Sequence, residues 1–354
     1  MKIIKYLFFL ILLIIIGSAI YFGTKDGNYD IQDSQVIKAP PELVFNQVND
    51  YKNWKKWGPW KKEDPTINFT YAEKTVGEGG SYSWDGEMSG AMTTTKVIPN
   101  KEIEQDLMLK TPGGERHPKI YWNFEEVDGG TKVTWGMKGE HTLIDKAFHS
   151  LSGMDFDAEM HKMNQSGLEG IALEVAEEMK KYSINVDGVS QYGGGYYMYT
   201  TSVSNQNEID EKMPSMMSEV LDFVGSNNLN MAGKPFTIYN QVDNANNTVI
   251  FSTCVPIKEK VITPEGSPVV CGYMEPVSAV KISLKGNYEH LPEAYTKGSQ
   301  YIKKNGLQKD PNGKMFEVYM TNPEETPNPA NWLTEVYIPI IPAPEPEPDI
   351  IEGL

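Results

Sequence analysis

Hydrophobic patterning changes character several times along the 354 residues. It opens with an unbroken apolar run, Tyr6 to Gly23 (YLFFLILLIIIGSAIYFG), free of charge and proline. At about 1.5 Å per residue this predicts a helix nearly as long as a hydrocarbon core of roughly 30 Å. A short strand pattern follows, and Ala39-Pro40-Pro41-Glu42 then marks a helix start with proline in its first turn, continued by Leu43, Val44, Val48 and Tyr51. From Gly77 the period falls to two, with Tyr82, Trp84, Gly86 and Met88 on one face. Further strands are predicted at 91–98, 103–109, 119–127 and 131–138, separated by turn residues such as Pro99-Asn100 and Asp128-Gly129-Gly130. Phe156, Met160, Met163, Leu168, Ile171, Val175 and Met179 then recur mostly every three to five residues, predicting one long helix over the apolar face of an antiparallel meander.

The second half repeats itself. Pro235-Phe236-Thr237-Ile238-Tyr239 matches Met315-Phe316-Glu317-Val318-Tyr319 at an offset of 80 residues, and Cys254-Val255-Pro256-Ile257 matches Tyr337-Ile338-Pro339-Ile340 at 83. Each unit reads strand, helix, strand, strand. The first helix carries Ile209, Met213, Met216, Met217, Val220, Leu221 and Val224; the second runs from Leu291 through Tyr295 and Ile302 to Asn305-Gly306. Two such units should pair about a pseudo-two-fold axis and leave a cleft between them. The fold class is thus α+β, with an apolar anchor over 1–27, domains over 28–183 and 184–340, and a proline-rich acidic tail over 341–354.

Charge narrows the partners. With 48 acidic residues against 32 basic ones, a net of −16 and a single arginine, Arg116, the chain lacks the clustered cations that bind phosphate backbones, and no helix-turn-helix pattern is evident; nucleic acid is not expected. Lys2 and Lys5 precede the apolar run, while Asp26, Asp30 and Asp33 follow it with only Lys25 among them. This bias predicts a single-pass membrane protein with a cytoplasmic N-terminus and both domains outside. Small residues at Gly17-Ser18-Ala19 keep open a cleaved signal peptide and a secreted product. His141, His149 and His161 have no recognisable ligand spacing, and no metal or cofactor is expected. Cys254 and Cys271 allow either one bridge or two buried thiols.

The strings IKAPPELVFNQVNDYKNWKKWGPW, VGEGGSYSWDGEMSGAMTTTKVIPN and YWNFEEVDGGTKVTWGMKG, followed by the long helix, resemble the SRPBCC or START-related helix-grip superfamily, in its polyketide cyclase/dehydrase-like branch. The resemblance implies a cavity between sheet and helix for an apolar or amphipathic molecule, without implying catalysis. Trp84, Met88, Trp122, Trp135, Met137, Met160 and Met163 are its expected lining; simple core packing is the competing reading of the same residues.

Gly286-Asn287-Tyr288 before Leu291, then Asn305-Gly306-Leu307, FEVYMTNP, Asn328-Pro329-Ala330-Asn331-Trp332 and TEVYIPI resemble the GyrI-like family, the AraC-type bacterial transcription activator effector-binding domain. Asn287 stands where proline is common and Asn328 where aspartate is common. Alternation puts Glu317 and Tyr319 on one strand face, and the resemblance makes that face the cleft. A carboxylate among tyrosine rings suits a cationic or hydrogen-bonding apolar ligand. Tyr288 and Tyr239 are expected beside it, with Glu335 and Tyr337 as a second tier. The leading expectation is a membrane-tethered, non-catalytic binder, sensor or carrier of small apolar or cationic molecules. The alternatives are a hydrolase using Glu317 as general base with Tyr319 and Tyr288 orienting the substrate, and a regulator acting through a protein partner of unspecified kind.

Overall fold

Strand alternation and helix caps place the elements of the computed structural model, which describes residues 2–60, 64–111 and 113–342. The acidic tail lies outside these from Ala343 onward. The chain divides into two units, Met1–Glu178 and Met179–Leu354, and the fold is α+β, with two antiparallel sheets behind an apolar N-terminal helix.

The first unit begins with α1 (Lys2–Gly23). Its span Ile3–Gly23 is long and apolar enough to cross a membrane or to serve as a signal sequence. Next come β1 (Asn28–Ile37), α2 (Pro41–Asn49) and α3 (Tyr51–Trp57), with Pro41 at the start of α2 and the Asp50 side chain capping α3. The meander follows as β2 (Asn68–Tyr71), β3 (Ser81–Asp85), β4 (Ser89–Ile98), β5 (Glu102–Thr111), β6 (Gly114–Arg116), β7 (Lys119–Val127) and β8 (Gly130–Glu140). The sheet order is β1-β8-β7-β5-β4-β3-β2, with β6 paired to β5, so the first strand closes on the last. Two helices end the unit: α4 (Leu143–Ser152), started by a Thr142/Asp145 capping box, and α5 (Phe156–Met179).

Helix α5 lies directly on the rings of the sheet. A Cβ at Gly167 would fall 2.4 Å from the Trp135 ring, and one at Gly170 would fall 2.3 Å from the Trp57 carbonyl oxygen, so both glycines permit the close approach. Leu168, Ile171 and Val175 are buried beside them.

The second unit is one continuous sheet ordered β13-β10-β12-β11-β15-β16-β14-β9. The first repeat is β10 (Gly195–Asn205), α6 (Ile209–Ser226), β11 (Phe236–Asp243) and β12 (Thr248–Ile257). The second is β14 (Val277–Lys285), α7 (Leu291–Lys304), β15 (Phe316–Tyr319) and β16 (Leu333–Pro339). Strands β9 (Ser183–Tyr192) and β13 (Val270–Met274) form the outer edges. The repeats join through β11 and β15, which pair Phe236 with Val318, Thr237 with Glu317 and Ile238 with Phe316. Both helices sit on the Glu317 face: α6 packs on Met198 and Val255, and α7 on Ile282 and Val336. The opposite face is an apolar layer of Phe236, Cys254, Phe316, Val318 and Tyr337.

Two expectations change and one open alternative is resolved. The strand through Tyr82 and Trp84 ends at Asp85, where the chain bends, so Met88 is 50% exposed and not inward-facing. Trp84 is only half-buried, packed on Tyr82 and Gly90. Cys254 and Cys271 are both free. They pair with Tyr199 and Met198, adjacent residues of β10, and so face opposite sides of the sheet, which rules out the bridge.

Candidate functional site

The strongest concentration of unusual chemistry lies on the join between the repeats. Residues 237 and 317 are repeat mates, and they are also direct cross-strand neighbours, so the pseudo-two-fold axis passes between them. One mate is threonine and the other glutamate. Tyr239 and Tyr319, mates in their turn, flank the pair. The helices are 82 residues apart (Leu291 against Ile209), which makes Met213 of α6 the counterpart of Tyr295 of α7. Glu317 therefore sits at the bottom of a trough whose two walls are repeat-related helices.

Glu317 is 1% exposed, a placement that a carboxyl tolerates only with its oxygens engaged. Tyr295 donates to Oε1 at 2.8 Å and Tyr319 to Oε2 at 3.1 Å. The Tyr319 hydroxyl also lies 3.1 Å from Thr237 Oγ1 and 3.0 Å from Met213 Sδ. Tyr288 rests edge-on against Tyr319, at 5.6 Å between ring centroids, and leans on Trp332 at 4.8 Å; Tyr239 meets Tyr295 edge-on at 6.3 Å. The rings of Tyr239, Tyr288, Tyr295 and Tyr319 are each only half-buried, so they form a rim around a sunken acid.

Burial pushes the Glu317 carboxyl up to about 7, and Asp210 adds repulsion, against the hydroxyls of Tyr295, Tyr239 and Tyr319, which favour the ionised form. The same burial, with the Glu317 charge behind it, raises Tyr295 and Tyr319 well above the ordinary phenol value and takes Tyr288 to about 12. The tyrosines stay protonated donors while the acid titrates near neutrality. An ionised carboxylate ringed by aromatic edges and faces attracts a cation, and the neutral acid can offer a hydrogen bond.

Glu335 and Tyr337 do not join this group. Glu317 stands opposite Val336, while Tyr337 stands opposite Phe316 and Glu335 opposite Val318. Directly opposed residues of an antiparallel pair share a face, which sends both to the far side of the sheet. There Tyr337 stacks on Phe316 at 4.8 Å, and its hydroxyl donates to Glu335, which is also paired with Lys281. Tyr295, Met213 and Trp332 are the site residues that sequence reading missed. Tyr295 occupies an apolar position of its helix and reads as core; only the 82-residue helix offset, applied to Met213, points to it.

In the first unit Trp122 and Trp135 stack at 4.5 Å. Trp54 and Trp57 of α3 close on them at 6.0 to 6.1 Å, and these four tryptophans are at most 4% exposed. The rings fill the region beneath α5, as core packing requires. Met137 is buried with them, and Met160 and Met163 are half-buried on the helix. Trp122 Nε1 donates to Gln105 Oε1 at 3.0 Å, while Gln105 Nε2 and Trp135 Nε1, like Gln47 Oε1 and Asn49 Oδ1 of α2, are buried without a partner. His141, His149 and Phe156 form a ring cluster, and His161 pairs with Asp33. Among the described residues no group of three or more His, Cys, Asp or Glu side chains is placed to hold a metal ion.

Comparison with known proteins assigns both units. Residues 196–341 match the GyrI-like small molecule binding domain, and residues 38–158 match the Activator of Hsp90 ATPase homolog 1-like protein, an SRPBCC-like family. The chain carries one domain of each kind, and both support small-molecule binding. Similar solved structures include the C-terminal domain of EcmrR, at 15% identity, 46% of this chain, 99% of that one and a TM-score of 0.39. A protein from Chromobacterium violaceum (16%, 41% and 96%, 0.33) and one from Staphylococcus epidermidis (19%, 44% and 92%, 0.31) are also similar. No curated protein matches the chain.

Proposed function

We propose that this protein is a membrane-anchored binder of small organic cations and that Glu317 is the anion which selects them. The single observation that supports this most is a fully buried carboxyl, held by tyrosine hydroxyls, at the bottom of a trough rimmed by half-open aromatic rings. Such an acid carries a desolvation cost in the empty protein, and a cation seated on it relieves that cost, so charge selectivity follows from burial. The apolar helix α1 supports tethering at a membrane. The test is calorimetric titration with a lipophilic aromatic cation and with its neutral isostere. Glu317→Gln should weaken the cation by about tenfold or more, as expected for a lost charge-assisted contact, and leave the neutral compound nearly unchanged. Equal loss for both compounds would remove Glu317 from the selecting role.

A second reading is favoured by one observation, the carboxyl standing at about 7, where it is half ionised at neutral pH and suited to act as a general base toward water on a small substrate. Turnover that vanishes in Glu317→Gln while binding persists would support that reading; binding without turnover in the unaltered chain supports the first.

A further inference from the structure

Outside α1, four of the exposed large apolar side chains of the first unit, Leu143, Ile144, Phe148 and Leu151, lie on the single short helix α4. Ile144, Phe148 and Leu151 recur at helical spacing along one side and are 60%, 58% and 85% exposed. The other side is fastened to the domain. Asp145 takes Arg116 through bonds of 2.7 and 2.8 Å, Lys146 Nζ donates to the Lys25 carbonyl at 2.6 Å, and His149 stacks on Phe156 at 5.3 Å. A helix held by its polar side cannot roll to hide its apolar one.

The position of α4 says what covers it. The helix packs on the end of α1: Leu143 Cδ2 lies 3.9 Å from where a Cβ at Gly23 would be, and Phe22 is buried although Tyr21 beside it is exposed. Lys25 Nζ sits 4.4 Å from the Tyr21 ring centroid, an aromatic and cation pair suited to the headgroup zone. The apolar surfaces of α1 and α4 thus come together at Gly23 and the exposed Leu143, so a solvent around the end of α1 also reaches α4.

We infer that α4 is an interfacial helix whose Ile144, Phe148 and Leu151 side inserts into the same phospholipid bilayer that α1 spans. The inference rests on reading α1 as a retained membrane span. Together the two helices give the first domain two points of attachment to the membrane, one crossing and one lying in its surface.

The test uses the full chain, with Cys254 and Cys271 replaced by alanine, reconstituted in vesicles of phosphatidylcholine and phosphatidylglycerol. An environment-sensitive fluorophore is placed at Leu151→Cys, at Ile11→Cys in mid-α1, or at Glu126→Cys. Glu126 pairs with Thr131, which in turn pairs with Ile37, nine residues along β1 from Asn28 and so about 30 Å from the strand end nearest α1. Spin-labelled lipids should quench the Leu151 label at least about threefold more than the Glu126 label, with shallow spin labels the most effective. A Leu151 label as water-exposed as the Glu126 one, with Ile11 deeply quenched, overturns the interfacial helix and leaves the span standing. A blue-shifted Leu151 label that lipids do not quench, and that reverts when protein is diluted in lipid, means that a second copy covers the patch and also overturns it. An unquenched Ile11 label refutes the span and the interfacial helix together.

Discussion

Replacing Glu317 by glutamine separates the electrostatic cost of the site from everything else in the molecule. A carboxyl ordinarily at 4.5 and held at about 7 in the folded chain carries a penalty on its ionised form of about 3 kcal/mol, at roughly 1.4 kcal/mol for each tenfold change. Between these two values the folded state holds a proton that the unfolded state has released, so stability falls as pH rises through the window from about 4.5 to about 7. Below the window the acid is neutral in both states and costs nothing; above it the full penalty applies. Glutamine never ionises. The difference in stability between variant and parent should therefore swing toward the variant by about 3 kcal/mol between pH 4.5 and pH 8 and then level off. Other titrating groups cancel in the difference. Urea titrations read by hydrogen exchange of a peptide holding 316–319 report on the second unit alone. A difference that stays constant across the pH range would refute the buried-acid argument, whatever its absolute size.

Four further outcomes follow from the contacts described. Tyr295→Phe removes a donor to the ionised Glu317, so the pH midpoint of cation binding, read by titration at several pH values, should move upward from about 7. Gly167→Ala drives a methyl to 2.4 Å from the Trp135 ring and should destabilise the first domain by about 1–3 kcal/mol in thermal unfolding, as overpacking does. Although burial alone would raise it, Asp145 is held at about 2 by Arg116 and Thr142; its contribution, full above about 3.8, is lost as pH falls toward 2, and Asp145→Asn should cost about 1 kcal/mol at pH 7 through the lost cap and pair, measured by denaturant titration. Exposure to air should leave two titratable thiols in the denatured chain, because Cys254 and Cys271 face opposite sides of one sheet; recovery of only one or none would contradict that register.

Much of this architecture is written in local patterns. The Pro41 helix start and the period-two strands depend on neighbours in sequence, the 80-residue repeat on comparing the chain with itself, and each recurs in the structure. What escaped depends on register. Glu335 and Tyr337 alternate as Glu317 and Tyr319 do, yet the pairing of Glu317 with Val336 turns them to the opposite face, and a single strand carries no information about the phase of its partner. Met88 failed for a related reason: alternation continues on paper through Gly86, while the backbone bends after Asp85. Tyr295 was hidden because an aromatic on a helix stripe looks the same whether it fills a core or reaches a buried acid.

Placing Thr237 against Glu317 also fixes how many charges the second domain can use. On the seam of this duplicated sheet the residue at the axis meets its own copy, 237 against 317, about 5 Å away between Cα atoms in an antiparallel pair. Two glutamates there would be buried side by side, and the two could not both ionise without strong repulsion. With threonine on one repeat and glutamate on the other, the axis carries one carboxyl contributed by one half and walled by both, so the proposed cation would sit on a single acid and touch both repeats along their common edge.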